Sequence, residues 1–404
     1  MSDLTPLARL GGHLATDLRD VTSDPEALDS SGWWAVVADY EGGLCCARFG
    51  DVRPAPLPAP APGRWRGPAP GDWVSSLDRA AYTEGVRRIR TAIGTGDVYQ
   101  VNLCRVLSAP LPNPAPEAAD IDQLTARLAV GTPAAYAGTV RLPAHGVEIA
   151  TASPELYLRR ADRTVESGPI KGTGRSAADL GEKERAENVM ITDLVRNDLG
   201  RVCVPGSITV PALCAPEPYR NLVHLVSTVR GELPEPAGPG ARGAGEWARL
   251  LAGTFPPGSI TGAPKSSALR LIDALETAPR GPYTGGIGWV DADRGTGALA
   301  VGIRTFWIER DHPRPLLRFG TGAGIIWDSD PEQEWRETEL KASRLLAVAS
   351  GEYDANSKNS KNSKNAGNAG NAGNDAATAA RGSAMPGARP VTQRPPAAPR
   401  GEQQ

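Results

Sequence analysis

The sequence predicts a mixed α/β (α+β) protein, because helix-like and strand-like segments alternate along most of its 404 residues. Apolar residues recur at helical spacing at Tyr82, Val86 and Ile89. Residues 98–107 instead form a run of strand-forming residues. A chain of this length can build one large core or two domains.

The remaining helices and strands follow from the same two patterns. Helices are predicted from Asp78 to Gly94 and at 119–130, 181–199, 246–252, 266–276 and 331–349. Strands are predicted at 33–39, 98–107, 134–141, 147–159, 163–167, 221–231, 284–290, 297–309 and 315–321. The buried side of the 181–199 helix is expected to consist of Val189, Met190, Leu194 and Val195.

Composition divides the chain into four regions. Residues 1–51 are a weakly patterned N-terminal strand region, and 52–71 are a Pro/Ala-rich linker. Residues 72–352 carry the strong helix and strand patterns of the main domain. Residues 353–404 consist of Asn-rich repeats and a Pro-rich end, which predicts a disordered tail.

Charge and cysteine usage exclude several classes of protein. The 44 basic and 46 acidic residues nearly cancel, so no nucleic-acid or membrane-surface footprint is expected. Five cysteines without metal-ligand spacing indicate reduced thiols. With no signal-peptide pattern and no long apolar run, we expect a cytoplasmic protein that contacts no membrane.

Lys171 stands out as a candidate reactive residue. It follows Pro169-Ile170 and precedes Gly172, which predicts a loop that a ligand can approach closely. Glu155, sixteen positions upstream, supplies a carboxylic acid. An amine and an acid so placed suggest a catalytic pair, whereas an exposed loop lysine is the alternative.

Two pairs of glutamates are candidate metal ligands. Glu184 and Glu187 share a face of one predicted helix, and Glu334 and Glu337 share a face of another, with Lys341 one turn later. Mg²⁺ prefers carboxylate oxygens and completes its coordination with water and substrate oxygens. The alternative is a solvated charged face, which such spacing more often forms.

Two glycine-rich segments and two isolated residues complete the set of candidate site residues. Gly320–Gly324 and Gly258–Lys265 could present backbone amides to an anion, although such runs are most often turns. Arg304, in the predicted strand 297–309, suggests bidentate binding of a carboxylate, with a surface arginine as the alternative. His224 lies among strand formers and is either a core histidine or a substrate-facing one.

Taken in order, these motifs resemble those of the chorismate-utilising enzymes. The resemblance covers about residues 72–350, most of the patterned chain. It rests on the segments Gly96–Leu103, Ser153–Glu155, Pro169–Thr173, Glu187–Asp198, His224–Ser227, Gly262–Lys265, Gly322–Gly324 and Glu337–Lys341.

The resemblance implies the anthranilate synthase component I fold, a large α/β sandwich of two interleaved halves with the active site between them. It also implies Mg²⁺ as the cofactor, anchored by Glu187 and Glu337, with Glu184 and Glu334 as further ligands. Glu155 and Lys171 would then be catalytic. The implied contacts to chorismate are Gln100, Thr173, His224, Ser259, Thr261, Tyr283, Arg304, Gly322, Ala323, Gly324 and Lys341.

Two positions indicate the reaction. Members of the family that add water to chorismate carry a lysine where this chain has Gln100, and a neutral amide cannot act as a general base. At Lys171 the chain reads Pro-Ile-Lys-Gly-Thr, as in aminodeoxychorismate synthase component I, whereas anthranilate synthases usually have alanine there.

The resemblance therefore implies amination of chorismate at C4, toward 4-aminobenzoate and folate. The sequence has no recognisable amidotransferase elbow, so ammonia is expected from a glutamine amidotransferase subunit. Two alternatives stay open: an anthranilate synthase component I that carries a lysine, and a non-catalytic chorismate-binding protein.

Overall fold

The structure is a computed structural model that describes residues 4–112, 119–174, 176–219, 222–235 and 245–352. Within these ranges the helices are α1 (Arg79–Gly94), α2 (Ile121–Gly131), α3 (Glu182–Gly200), α4 (Glu246–Thr254), α5 (Lys265–Leu275) and α6 (Pro331–Ala349). The strands are β1 (Leu7–Leu10), β2 (His13–Thr22), β3 (Trp33–Ala38), β4 (Leu44–Pro54), β5 (Val74–Ser75), β6 (Gln100–Pro110), β7 (Tyr136–Leu142), β8 (Val147–Ser153), β9 (Leu156–Ala161), β10 (Thr164–Gly168), β11 (Ile170–Gly174), β12 (Thr209–Tyr219), β13 (Leu222–Glu232), β14 (Gly262–Ala263), β15 (Gly286–Asp291), β16 (Thr296–Val301), β17 (Thr305–Glu309) and β18 (Leu316–Ile325).

Antiparallel pairing joins these strands into one continuous hydrogen-bonded network. In space it runs β12-β13-β10-β9-β16-β15-β3-β4-β2-β1-β7-β8-β17-β18-β6. In addition, β11 pairs with β13, and β5 and β14 pair with β6. Strands that are distant in sequence are therefore neighbours in space.

We define a first half (β3, β9–β13, β15 and β16) and a second half (β1, β5–β8, β14, β17 and β18). The chain crosses between them several times; we call the crossover from β8 to β9, at Glu155, the first crossover and that from β16 to β17, at Arg304, the second crossover. The two crossovers are hydrogen-bonded side by side. Ala152 N–H donates to the Arg304 carbonyl (3.0 Å), and Val301 N–H donates to the Glu155 carbonyl (3.0 Å). The predicted sandwich of interleaved halves is thus confirmed.

Helices cover each half with a separate hydrophobic core. α3 and α4 pack with the first half around Trp34 and Trp247, and α2 and α6 pack with the second half around Phe306 and Phe319. Full burial of a large apolar side chain stabilises a fold by about 1.5–3 kcal/mol. The two helices that carry the glutamate pairs, α3 and α6, therefore belong to different halves.

Two strand segments differ from the sequence-based expectations. Lys171 lies in strand β11 and not in a loop; the pairing of β11 with β13 shifts register between Ile170 and Thr173, which accommodates the glycine beside the lysine. The predicted strand 297–309 is broken at 302–304, where Arg304 adopts a φ of 52°. Such a backbone interrupts an extended ladder.

The buried side of α3 also differs from the prediction. Val189 is 48% exposed, whereas Asn188, Ile191 and Val195 are buried. The Asn188 amide explains this rotation, because its Nδ2 donates to the Leu225 carbonyl on β13 (2.9 Å). A hydrogen-bonded polar side chain thus occupies the face expected for an apolar one.

The N-terminal strands belong to the same network as the rest of the chain, through β3–β15 and β1–β7 pairing. Beyond β4, Trp65 is buried and donates through Nε1 to the Ala349 carbonyl (2.7 Å). The predicted tail, 353–404, lies outside the described residues. No helix in the described ranges has the length and apolar character needed to cross a membrane.

Candidate active site

Glu155 occupies the first crossover, between β8 and β9, and it is only 6% exposed. Its carboxylate accepts hydrogen bonds from the Ser259 side chain and the Ile170 backbone. Burial is the largest influence and raises the pKa of Glu155 to about 7, although these hydrogen bonds and the charge of Lys171 oppose it. A carboxyl group with this pKa can hold and donate a proton near neutral pH.

Lys171 is close enough to Glu155 for their charges to interact. Burial lowers the pKa of Lys171; Lys341 lowers it further, while Glu187, Glu155 and Glu337 oppose the shift. A larger share of its amine is therefore neutral than in an exposed lysine. Only the neutral amine is a nucleophile.

Gln100 and Asn102, on β6, meet Lys171 beside Gly324 of β18. A Cβ atom added to Gly324 would lie 2.8 Å from Gln100 Nε2, 2.9 Å from Asn102 Oδ1 and 3.1 Å from Lys171 Nζ. The side chain of Gln100 is 1% exposed, and neither its Oε1 nor its Nε2 has a hydrogen-bond partner. A buried amide without partners is costly, so a polar ligand at this point would stabilise it.

His224 faces the second crossover. It is 4% exposed, and burial together with the charge of Arg304 lowers its pKa, so the neutral ring is favoured. His224 pairs in register with Thr173, whose side chain lies outside the described part of the chain. Arg304 thus lies near His224 at the crossover rather than on a regular strand.

Ser259 and Thr261 lie in a tight turn before β14. The Ser259 carbonyl accepts from Asn102 Nδ2 (2.8 Å), and the Thr261 carbonyl accepts from the Asn102 N–H (2.8 Å). The Thr261 hydroxyl donates back to the Pro257 carbonyl (3.0 Å). Ser259 therefore touches the acid, while the hydroxyl of Thr261 holds the turn itself.

Tyr283 packs against β18, the strand that also carries the 322–324 segment. The ring of Tyr283 lies directly against the Cα of Gly320, and its hydroxyl hydrogen-bonds the Cys104 side chain. Burial raises the pKa of Tyr283 well above its usual value, so the phenol stays protonated. Ala323 is buried in the core formed by α1, α5 and β6.

The glutamate pair of α3 lies at the start of that helix. Glu184 Oε2 accepts from the Gly181 N–H (2.9 Å), which completes a helix cap. Glu187 lies 4.0 Å from Lys183 Nζ. The charge of Glu187 is also the largest one acting on Lys171.

The glutamate pair of α6 lies near Lys341, and Glu337 also lies near Lys171. Burial raises the pKa of Glu334, and the neighbouring Glu337 adds to that effect. Burial also acts to raise the pKa of Glu337, but its 2.6 Å ion pair with Lys341 outweighs burial and the net shift is downward. Lys341 Nζ donates in addition to the Gly322 carbonyl (3.1 Å).

These four carboxylates fit Mg²⁺ by donor type, because Mg²⁺ prefers oxygen ligands. Lys183, on α3, acts electrostatically on both Glu334 and Glu337, so the two helices present their pairs toward a common region. No three His, Cys, Asp or Glu side chains of the described ranges are grouped as a formed metal site. The magnesium site therefore stays a prediction.

The structure thus brings six of the predicted residues close to Lys171 or Glu155: Gln100, Glu187, Ser259, Gly324, Glu337 and Lys341. It also adds residues that the sequence did not single out. Asn102 is the clearest of them, because its amide bridges β6 to the Ser259 turn.

A buried ion pair is a second addition at the same turn. Asp198 and Lys265 lie 2.8 Å apart, and Asp198 Oδ2 accepts from the Gly258 N–H (3.0 Å). The Gly262–Lys265 motif contained this lysine, but its partner was not apparent from the sequence.

Comparison with known proteins identifies the family. The family described as chorismate binding enzyme matches residues 45–347. This chain belongs to that family.

Individual relatives carry two different names. Anthranilate synthase component 1 of Streptomyces coelicolor is 39% identical over 315 residues, which cover 74% of this chain and 58% of that protein. Aminodeoxychorismate synthase component 1 of Salmonella typhimurium is 36% identical over 286 residues, which cover 68% of this chain and 58% of that protein. The chain thus spans 58% of the length of each of these relatives, and the identities do not separate the two activities.

The fold is also shared with a solved member of the family. The crystal structure of anthranilate synthase component I from Streptococcus pneumoniae superposes with a TM-score of 0.64 at 25% sequence identity. The match covers 78% of this chain and 81% of that one.

Proposed function

We propose that the protein is the chorismate-aminating component of an aminodeoxychorismate synthase, component I. It would replace the C4 hydroxyl of chorismate with an amino group and form 4-amino-4-deoxychorismate for 4-aminobenzoate and folate synthesis. One observation carries the proposal: a lysine amine, Lys171, whose pKa burial lowers, lies beside a carboxylic acid, Glu155, with a pKa of about 7.

The first step uses both residues. The neutral amine of Lys171 attacks C2 of chorismate and forms a C–N bond, both ring double bonds shift, and the C4–O bond breaks. Glu155 donates its proton to the departing oxygen, so the leaving group is water. Lys171 therefore needs to be deprotonated and Glu155 protonated. Burial favours both states, because each of them is uncharged.

The second step reverses the first with a different nucleophile. Ammonia attacks C4, both ring double bonds return to their original positions, and the C2–N bond to Lys171 breaks. The net change is chorismate plus ammonia giving aminodeoxychorismate plus water. A separate glutamine amidotransferase subunit would supply the ammonia.

The anionic substrate needs cationic and polar partners. Arg304 and Lys341 provide the positive charge, and the unpartnered amide of Gln100 provides a donor and an acceptor. Mg²⁺, when held by the glutamates of α3 and α6, would neutralise a substrate carboxylate.

Gln100 also argues against water as the nucleophile. An amide has no basic nitrogen with which to remove a proton from water near neutral pH. Isochorismate formation would need such a base near this point. Amination does not, because ammonia is already a nucleophile.

The test is a product analysis. The purified chain is incubated with chorismate, Mg²⁺ and ammonium, and the products are identified by mass. We expect aminodeoxychorismate without pyruvate; anthranilate plus pyruvate would instead identify an anthranilate synthase, and no consumption would identify a binding protein.

A lysine series tests the covalent step. Lys171→Ala should lower aminodeoxychorismate formation by about 100-fold or more, since the nucleophile is lost. Lys171→Arg should be as inactive, because a guanidinium keeps the charge but is not a nucleophile. Full activity in Lys171→Arg would reduce the lysine to an electrostatic role. The exposed Arg88→Ala is the control for loss of a positive charge.

A further inference from the structure

We propose that Arg280 is a positioning residue that fixes the geometry of the candidate active site through hydrogen bonds to two backbone carbonyls and to the side chains of Glu276 and Thr284. It lies in the segment between α5 and β15, and its side chain is 1% exposed. The inference rests on the proposed function only to the extent that the site converts chorismate.

The guanidinium of Arg280 is fully occupied by protein acceptors. Nε donates to Glu276 Oε2 (2.8 Å), and Nη2 donates to Glu276 Oε1 (2.6 Å) and to the Asn102 carbonyl (3.0 Å). Nη1 donates to the Ile260 carbonyl (3.0 Å) and to Thr284 Oγ1 (3.3 Å). An arginine has five N–H donors, and all five are used, so none is left for a substrate.

Apart from Glu276 at the end of α5, these acceptors lie in three segments, and each of the three carries a residue of the candidate site. Asn102 is on β6, two positions from Gln100. Ile260 lies between Ser259, which contacts the acid Glu155, and the end of the turn. Thr284 follows Tyr283. One rigid, planar group therefore sets the spacing of three walls of the site.

The neighbours of Arg280 hold it in this orientation. Glu276 is bidentate to the guanidinium, and its Oε1 also accepts from the Cys104 N–H on β6 (2.8 Å). The ring of Tyr40 covers the guanidinium at 4.2 Å from its centroid. A buried cation paired and stacked in this way has one orientation available to it.

Arg280 acts through position rather than through its charge on the reacting groups. The pKa of Glu155 is set by burial, Ser259, Lys171 and Ile170. All five N–H donors of Arg280 are hydrogen-bonded to acceptors outside the two glutamate pairs of α3 and α6. We therefore expect its loss to change the turnover number more than the binding of chorismate.

The experiment compares two conservative substitutions of buried arginines. Arg280→Lys keeps the charge but has donors at one point only, so it cannot span three segments. We expect kcat for chorismate to fall about tenfold or more, with KM within about threefold, since small displacements of reacting groups slow catalysis strongly. Arg160→Lys is the matched control, because Arg160 is buried and paired with Asp29 and Glu246 away from the site.

We expect the Arg160→Lys control to keep kcat and KM close to those of the wild type. An Arg280→Lys enzyme with unchanged kcat, or with a raised KM alone, would overturn the inference. If Arg280→Lys does not fold, Glu276→Gln is measured instead, with an expected drop in kcat of about threefold or more and an unchanged KM. An unchanged kcat in that variant would also overturn the inference.

The wild-type product separates this inference from the proposed function. If the wild type forms anthranilate, the proposed function fails alone, and the same ratios of kcat are measured on that product. A wild-type chain that consumes no chorismate would overturn both.

Discussion

Replacement of Glu155 by glutamine tests the electrostatic basis of the site through protein stability. Burial raises the pKa of this carboxyl group from 4.5 to about 7 in the folded protein. The folded state therefore holds the proton more tightly than the unfolded chain does. Ionisation of Glu155 costs stability as pH rises above the unfolded value, and the cost is complete above pH 7. With about 1.4 kcal/mol for each pKa unit, the full cost is about 3 kcal/mol.

The assay is urea unfolding at pH 5 and at pH 8. Between these values we expect the wild type to lose about 2.5 kcal/mol more stability than Glu155→Gln, because glutamine does not ionise. The exposed Glu84→Gln is the control for a change of net charge, and it should follow the wild type. A difference below about 0.5 kcal/mol would refute the raised pKa. The same substitution should lower kcat by about 100-fold, since the proton donor is lost.

Two further predictions concern the walls of the site. Gly324→Ala should lower kcat about tenfold or more with little loss of stability, because the new methyl group would displace the ends of flexible side chains; Gly200→Ala, with open space around it, should keep wild-type kcat. Asp198→Asn should lower the free energy of unfolding by about 3 kcal/mol, because it leaves a buried lysine charge without its partner. Adding Lys265→Met should recover part of that loss in urea unfolding, and a double variant no more stable than Asp198→Asn would contradict this prediction.

Local chemistry made most of the helices predictable. Asp78 accepts from the Ala81 N–H and Asp330 from the Gln333 N–H, so a carboxylate caps the start of α1 and of α6. The strands β2 and β12 were not predicted, and much of β2 is only partly buried or exposed. Pairing with β1, β4 and β13 fixes these strands, and a weak apolar pattern does not reveal that pairing. The crossovers depend on pairing between strands that do lie far apart in sequence, such as β9 with β16, so they could not be predicted.

The candidate site was also predictable only in part: its residues were identified from local sequence, but their arrangement was not. Lys171 and Glu155 could be selected from the sequence because an amine between glycines and an acid after a proline are chemically unusual. Their proximity could not, since it depends on β11 running beside the crossover between β8 and β9. Arg304 was expected on a regular strand, but its backbone has a left-handed conformation at the second crossover. A single residue with φ > 0 leaves no clear trace in an apolar pattern.

Reactive and positioning residues therefore differ in what a sequence reveals about them. A reactive residue acts through its own side chain, so its type and its immediate neighbours indicate its role. Two of the five donors of Arg280 reach the carbonyl groups at positions 102 and 260, and any residue type there would offer the same carbonyl. Its role is consequently a property of the fold, and it becomes apparent only when its five donors are matched with their acceptors. The same reasoning predicts that substitutions at positions 102 and 260 that keep the backbone in place will leave these bonds intact, whereas a change in the guanidinium itself will not.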